Sequence, residues 1–142
     1  MLKPTSTIVT KTDQFLMASS PIQVTGCLHT AILVADVQRA AAFYDRLLAL
    51  PKVERPFTYG GVWYQLPQMQ LHLIEDPAFQ GRLPNPEKLG RNPHIAFGVR
   101  DLDAVRSHLD RENYPYELSQ SGRRALFVQD PDGNVIEITE VG

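Results

Sequence analysis

The chain has 142 residues, the length of one ordinary domain, and its 43% hydrophobic and 21% charged residues are typical of a globular protein. The formal charge is −2 and no long run of Lys or Arg occurs, which argues against nucleic acid or a membrane surface as a partner and favours a small-molecule substrate. Cys27 is the single cysteine, so an intramolecular disulfide is excluded. Together with the lack of an apolar stretch long enough to cross a bilayer, this predicts a cytoplasmic protein.

The first 26 residues have a composition different from that of the rest of the chain. They are rich in Ser and Thr and contain one acid, Asp13. This composition is compatible with a targeting peptide, but it favours a flexible N-terminal extension. We therefore expect the folded domain to span residues 27–142.

A strand followed by a helix opens the predicted domain. Residues 28–34 form a short apolar and β-branched run, which predicts a strand. Asp36 occupies the N-cap position of a segment whose apolar residues recur at spacings of three and four, and Pro51 is expected to end that helix. Two further strands are predicted at about 62–66 and 69–75.

The second half of the chain repeats this order after a Pro- and Gly-rich stretch, residues 76–91, which we interpret as a linker. Asp101 is the predicted N-cap of the second helix, and Pro115 is expected to end it. A turn is predicted at 130–134, where the sequence reads DPDGN. Strands are predicted at 94–99, 124–129 and 134–140.

An internal repeat relates the two halves at a constant offset of 65 residues. The pairs that match without a gap include His29 with His94, Asp36 with Asp101, His72 with Glu137, and Glu75 with Glu140. The predicted fold is therefore α+β, built from two tandem βαβββ modules at about 27–75 and 92–141.

Three histidines and a glutamate occupy matching strand positions in this repeat. Because side chains alternate between the faces of a strand, His29, His72, His94 and Glu137 are expected on the polar faces of the two sheets, opposite the apolar faces that meet the helices. A single strand histidine is more often a surface or hydrogen-bonded core residue, but here only His108 lies outside the pattern, on a helix. Imidazole and carboxylate ligands suit Zn, Ni, Co, Mn or Fe(II), so the pattern predicts a shared site for one divalent metal.

The cysteine and the aromatic residues are less informative. Cys27 is expected to be a small buried side chain rather than a ligand or a nucleophile. Phe57, Tyr59, Trp63 and Tyr64 could line a substrate pocket or belong to the core, and the sequence leaves both interpretations open.

The strand histidines, the helix entry VADVQRAAAFY and the closing segment DPDGNVIEI resemble the vicinal oxygen chelate superfamily, which includes glyoxalases, bleomycin resistance proteins and extradiol dioxygenases. The resemblance implies that the two modules form a half-open barrel around a metal. It also implies a homodimer in which modules of two subunits complete each site. Matched by position, one module supplies His29 and His72, and the other supplies His94 and Glu137.

The function that the resemblance implies is a divalent-metal-dependent lyase or isomerase of the glyoxalase type, acting on a small oxygen-chelating substrate, with Glu137 as the catalytic residue that moves a proton. Glyoxalase I usually carries Glu in the slot that His72 holds here, so its two-carboxylate proton transfer does not carry over directly. An alternative is a ferrous extradiol-type dioxygenase that uses His29, His94 and Glu137. Further alternatives are a thiol transferase and a metal-free drug-binding resistance protein.

Overall fold

The computed structural model describes residues 8, 10, 11 and 20–142. Most of the predicted N-terminal extension therefore lies outside the described residues, and residues 22–28 belong to no helix or strand. None of the helices in the described part of the chain is long and apolar enough to cross a membrane. The cytoplasmic location stays a prediction.

The first module has four strands and one helical segment. Strand β1 is parallel to β4, and the sheet order is β1-β4-β3-β2 with the remaining neighbours antiparallel. The elements are β1 (His29–Val34), α1 (Val37–Ala41) continued by a π-helical segment (Ala42–Leu47), β2 (Lys52–Val53), β3 (Gly61–Gln65) and β4 (Gln70–Glu75).

The second module repeats the first in element order and sheet topology. After a short 3-10 turn (Leu89–Arg91), its elements are β5 (His94–Val99), α2 (Leu102–Arg111), β6 (Glu117–Leu118), β7 (Ala125–Gln129) and β8 (Val135–Glu140). Their sheet order is β5-β8-β7-β6. The α+β fold with two βαβββ modules is thus confirmed, and each of its two sheets is open, as in a half-open barrel.

Both helices begin where the sequence predicts, and each start is capped twice. Asp36 accepts a hydrogen bond from the backbone N–H of Arg39 at 3.0 Å, and Asp101 accepts one from Ala104 at 3.0 Å. The repeat-related acids Glu75 and Glu140, at the ends of β4 and β8, accept the first free N–H groups of the two helices, those of Val37 and Leu102. These carboxylates therefore explain part of the internal repeat by helix capping.

The predicted helix ends are wrong by several residues. Pro51 and Pro115 do not end the helices, because the π-helical segment stops at Leu47 and α2 stops at Arg111. The chain reverses at Ala49 and Asn113, whose φ angles are 54° and 52°. A left-handed residue ends a helix on its own, and the prolines come only after that reversal.

A single core joins the two modules. The apolar faces of both sheets pack against the helices, as predicted, and the largest fully buried side chains include Phe43, Tyr44, Tyr64, Leu71, Leu73, Leu109, Leu126 and Ile136. The polar faces of the sheets, which carry the predicted ligands, are left on the other side. The core thus fixes the strand faces on which the candidate site lies.

Candidate metal and substrate site

The first module places His29 and His72 side by side on neighbouring parallel strands. Their rings stack with centroids 4.2 Å apart and an interplanar angle of 10°. Trp63 on β3 lies beside His72 in the strand register and stacks on its other face at 4.0 Å and 6°. His72 is therefore held between two flat rings and is only 8% exposed.

A chain of amide hydrogen bonds fixes the tautomer of His72. The side chain of Gln65 donates to the Leu66 carbonyl at 2.7 Å, so its oxygen accepts the amide N–H of Gln70 at 3.0 Å. The oxygen of Gln70 then accepts from His72 Nε2 at 2.8 Å. Since an amide oxygen can only accept, Nε2 carries the proton and Nδ1 carries the lone pair.

The same surroundings keep His72 neutral. Burial lowers the pKa of the His72 imidazole below its usual range, and the nearby His29 and Arg55 lower this pKa further. A neutral ring stacks and binds metals, whereas a protonated ring has no free lone pair.

The second module pairs His94 on β5 with Glu137 on β8. His94 Nδ1 donates to the Asn92 carbonyl at 2.7 Å, which leaves the lone pair on Nε2. Nε2 lies 3.7 Å from Glu137 Oε1. Two atoms that bind one divalent cation at about 2.1 Å each must lie within about 4.2 Å of one another, so this pair has the spacing of two ligands.

Glu137 is buried and ionised. Its side chain accepts hydrogen bonds from Arg123 Nη2 at 3.2 Å and from the Thr139 hydroxyl at 2.7 Å. Burial alone would raise the pKa of this carboxyl, but the hydrogen bonds from Thr139 and Arg123, together with the charges of Arg123 and His94, lower the pKa below its usual range. The module therefore presents a carboxylate anion beside the imidazole of His94.

The structure brings the four predicted ligands together as two pairs and not as one cluster. Within residues 20–142, no group of three or more His, Cys, Asp or Glu side chains is close enough to hold a metal ion. His29 and His72 line a cavity of about 640 Å³, and neither His94 nor Glu137 borders it. The predicted ligands thus lie in two separate pairs within one chain.

The cavity resolves the open question about the aromatic residues. Phe57, Tyr59 and Trp63 line it, whereas Tyr64 is fully buried in the core with its hydroxyl bonded to Asp45. The expectation for Cys27 is wrong: this residue is exposed and borders the cavity, because it precedes β1 and no helix covers it.

Sequence reasoning missed several residues of the site. Arg55 lines the cavity, Arg123 contacts the buried carboxylate, and Gln70 and Asn92 orient the two histidines. The position of Gln70, two residues before His72 on the same strand face, was the one available signal. His108 lies on α2 as expected, where its Nε2 donates to the Leu47 carbonyl at 2.9 Å.

Comparison with known proteins identifies the family. Residues 26–138 match the model of the Glyoxalase/Bleomycin resistance protein/Dioxygenase superfamily, and the chain belongs to this superfamily, as the resemblance predicted. It is 28% identical over 135 residues to Glyoxylase I 4 of Arabidopsis thaliana, a match that covers 85% of this chain and 74% of the relative.

Solved structures support the same fold. A glyoxalase/dioxygenase from Nostoc punctiforme superposes with a TM-score of 0.68 at 21% identity, covering 88% of this chain and 97% of the other. Lactoylglutathione lyase from Agrobacterium tumefaciens superposes with a TM-score of 0.61 at 21% identity, covering 82% and 94%. At these identities the likeness concerns the fold.

Proposed function

We propose that the protein is a divalent-metal-dependent enzyme of the glyoxalase type, a lyase or isomerase that moves a proton on a small oxygen-chelating substrate. The observation that carries this proposal is the pair formed by His94 and Glu137. The imidazole of His94, whose Nδ1 is engaged by a backbone carbonyl, lies with Nε2 3.7 Å from the buried carboxylate of Glu137, at positions that repeat those of His29 and His72. Similarity to a glyoxylase I of Arabidopsis thaliana supports the same reaction class.

The donor set fits a borderline divalent cation such as Zn, Ni, Co, Mn or Fe(II), because it combines imidazoles with a carboxylate. His29, His94 and Glu137 would hold the ion, with His72 as the fourth candidate ligand. The chemistry supplied at such a centre is stabilisation of negative charge on neighbouring substrate oxygens. Glu137 is the group placed to accept and return a proton.

We propose that each complete site combines the first module of one subunit with the second module of its partner in a homodimer. In the described chain, β1 and β5 are outer strands of their sheets, and each carries one predicted ligand, His29 or His94, on its exposed face. Leu33 of β1 is 38% exposed. Since long apolar edge strands are normally paired or covered, a second subunit is expected at these edges.

A ferrous dioxygenase is the second candidate, and the bond between His72 and Gln70 favours it. With Nε2 of His72 engaged at 2.8 Å, the remaining ligands are His29, His94 and Glu137. Two histidines and one carboxylate form the facial set of non-haem iron oxygenases. Iron in the purified protein, together with catechol cleavage, would favour this reaction over proton transfer.

The proposal is tested with Glu137→Gln, which keeps the size of the side chain but removes its basicity. Wild-type protein should hold about one divalent metal per chain and should be screened with each candidate metal for lactoylglutathione formation and for catechol cleavage. In the substitution we expect turnover to fall about 10²- to 10⁴-fold with a smaller change in KM, because a positioned base typically contributes that much to the rate.

Metal content must be measured in parallel, since loss of a charged ligand could also remove the ion. Thr139→Val is the matched control: it removes one hydrogen bond to Glu137 but keeps the carboxylate, so it should retain most of the turnover. If Glu137→Gln keeps its metal and turns over at the wild-type rate, the proton-transfer proposal is wrong.

A further inference from the structure

Arg55 is an unusual lining residue of the cavity beside His29 and His72. It lies between β2 and β3, and its only hydrogen bond within the described chain runs from Nη1 to the Tyr59 carbonyl at 2.5 Å. Its Nε is buried and has no hydrogen-bond partner among the described residues. A buried donor without a partner costs stability, so the described residues do not satisfy the guanidinium of Arg55.

The charge of Arg55 is also uncompensated. It forms no ion pair with any acid in the described chain. Among the residues that line the cavity, Arg55 is the only Lys, Arg, Asp or Glu. The wall that the first module contributes thus has one positive charge and no carboxylate, which favours an anion, and a guanidinium binds a carboxylate through two parallel hydrogen bonds.

The remaining wall of the cavity consists of flat rings. Phe57 stacks with Tyr59 at 5.2 Å and contacts Trp63 edge-on at 5.7 Å. The guanidinium carbon of Arg55 lies 4.7 Å from the centre of the Tyr59 ring. Phe57 and Tyr59 are 48% and 53% exposed, which leaves aromatic surface free for a planar ligand.

From these observations we infer that Arg55 is the specificity-determining residue of a carboxylate subsite, and that the cavity takes a planar aromatic or conjugated carboxylic acid. The carboxylate binds the Arg55 guanidinium, and the planar part stacks against Phe57 and Trp63. The assignment of this ligand as the substrate rests on the proposed function. The binding itself needs only the first module.

Trp63 makes the inference directly measurable, because it is the single tryptophan of the chain and it lines the cavity. Its fluorescence, excited at a wavelength that the probes do not absorb, should report occupancy of the cavity. The full-length protein is titrated with benzoate, with benzamide as the planar neutral analogue, and with cyclohexanecarboxylate as the non-planar anion. The titrations are done on the protein as purified and again after chelation of metals.

Benzoate should bind about ten- to a hundredfold more tightly than benzamide, which is the usual size of a charge-assisted hydrogen-bonded contact, and more tightly than cyclohexanecarboxylate. Arg55→Gln should reduce benzoate affinity to that of benzamide and leave benzamide unchanged. Arg55→Lys keeps the positive charge but cannot form two parallel hydrogen bonds, so it should retain part of the preference for benzoate over benzamide. Arg82→Gln, an exposed arginine outside the cavity, is the matched control and should behave as wild type.

The inference is overturned if benzoate shows no saturable binding, or if benzoate binds no better than benzamide or cyclohexanecarboxylate. It is also overturned if Arg55→Gln or Arg55→Lys weakens the binding of benzoate and benzamide equally, because that result is expected of a merely structural arginine. Because the chelated protein is included, these outcomes do not depend on metal or turnover. The proposal of carboxylate binding can thus be wrong while the proposed metal-dependent reaction is right, and the proposed reaction can be wrong while carboxylate binding is right.

Discussion

The four predicted ligands differ most in how their neighbours hold them. His94 donates through Nδ1 to a backbone carbonyl and presents Nε2 to Glu137. His72 is fixed the other way, with Nε2 donating to Gln70 and its ring held between those of His29 and Trp63. A ligand histidine usually donates its second ring nitrogen to a carbonyl or carboxylate, as His94 does. In the proposed site, His94 would bind the metal through Nε2, whereas His72 would bind it through Nδ1.

This difference predicts unequal effects on metal affinity. His94→Ala should abolish metal binding, because it removes a ligand. His72→Ala should lower metal affinity by no more than about tenfold to a hundredfold, which is the usual effect of substituting a residue that supports the metal ligands. Isothermal titration with the metal found in the purified protein checks both values.

His108→Ala is the control for these substitutions, because the His108 ring bonds to the Leu47 carbonyl and is not one of the predicted ligands, so its loss should leave metal affinity unchanged. Equal losses in His72→Ala and His94→Ala would instead establish a four-ligand set in which Gln70 releases the His72 ring.

For single residues, the sequence predicted the sheet face of a side chain wherever the alternation of faces along a strand applies. The faces of His29, His72, His94 and Glu137 follow from a period of two, and the structure has the expected apolar residues on the opposite faces. Arg55 could not be predicted, because it lies on a connection without periodicity and its importance arises from neighbours brought there by folding.

Among the elements, those with a clear pattern were predicted and the shortest ones were not. Strands β2 and β6 have two residues each, too few for an alternation to be read. The DPDGN turn was predicted from its composition, and it forms as expected: Asp130 accepts the backbone N–H groups of Asp132 and Asn134, and Gly133 has a φ of 88°. The helix starts were predicted because caps are local, whereas the π-helical segment has no sequence signature that we identified.

The capping of α2 supports a stability prediction. Asp101→Ala removes the side-chain acceptor for the N–H of Ala104 and should lower the free energy of unfolding by about 1 kcal/mol, measured by urea denaturation. Asp103→Ala in the same turn is the control. Its side chain is 70% exposed and pairs with Arg124 only at the surface, so its effect should be clearly smaller. Equal effects would argue against the cap as the cause.

In the whole molecule, polar contacts connect the two modules, one of them buried and one exposed. The hydroxyl of Tyr44 in the π-helical segment donates to Asp130 Oδ2 at 2.6 Å, across 86 positions of sequence. Asn134 of the same turn donates to the Leu33 carbonyl at 2.9 Å. Burial, followed by the neighbouring Asp130, raises the pKa of Tyr44 far above its usual range, so this tyrosine remains a hydrogen-bond donor.

Tyr44→Phe should therefore destabilise the protein by about 1–2 kcal/mol, since it deletes one buried hydrogen bond while Asn134 still donates to the same Asp130 oxygen. Tyr59→Phe removes a hydroxyl from a half-exposed ring and should change stability by much less. Thermal denaturation of both variants checks the comparison. If the melting temperature of Tyr44→Phe is unchanged, the hydrogen bond between Tyr44 and Asp130 does not stabilise the packing of the two modules.

The internal repeat predicted two equivalent modules, but it could not determine which modules meet to form a site, because that depends on assembly. In the proposed homodimer, His29 of one subunit and Glu137 of the other share a metal. The most direct test mixes a His29→Ala variant with a Glu137→Ala variant under conditions of subunit exchange and measures bound metal and activity. Each heterodimer should then contain one intact and one doubly damaged site, so a 1:1 mixture of two inactive variants should recover about a quarter of the wild-type sites. If exchange is complete and neither metal nor activity returns, the site is not shared between subunits and the account is contradicted.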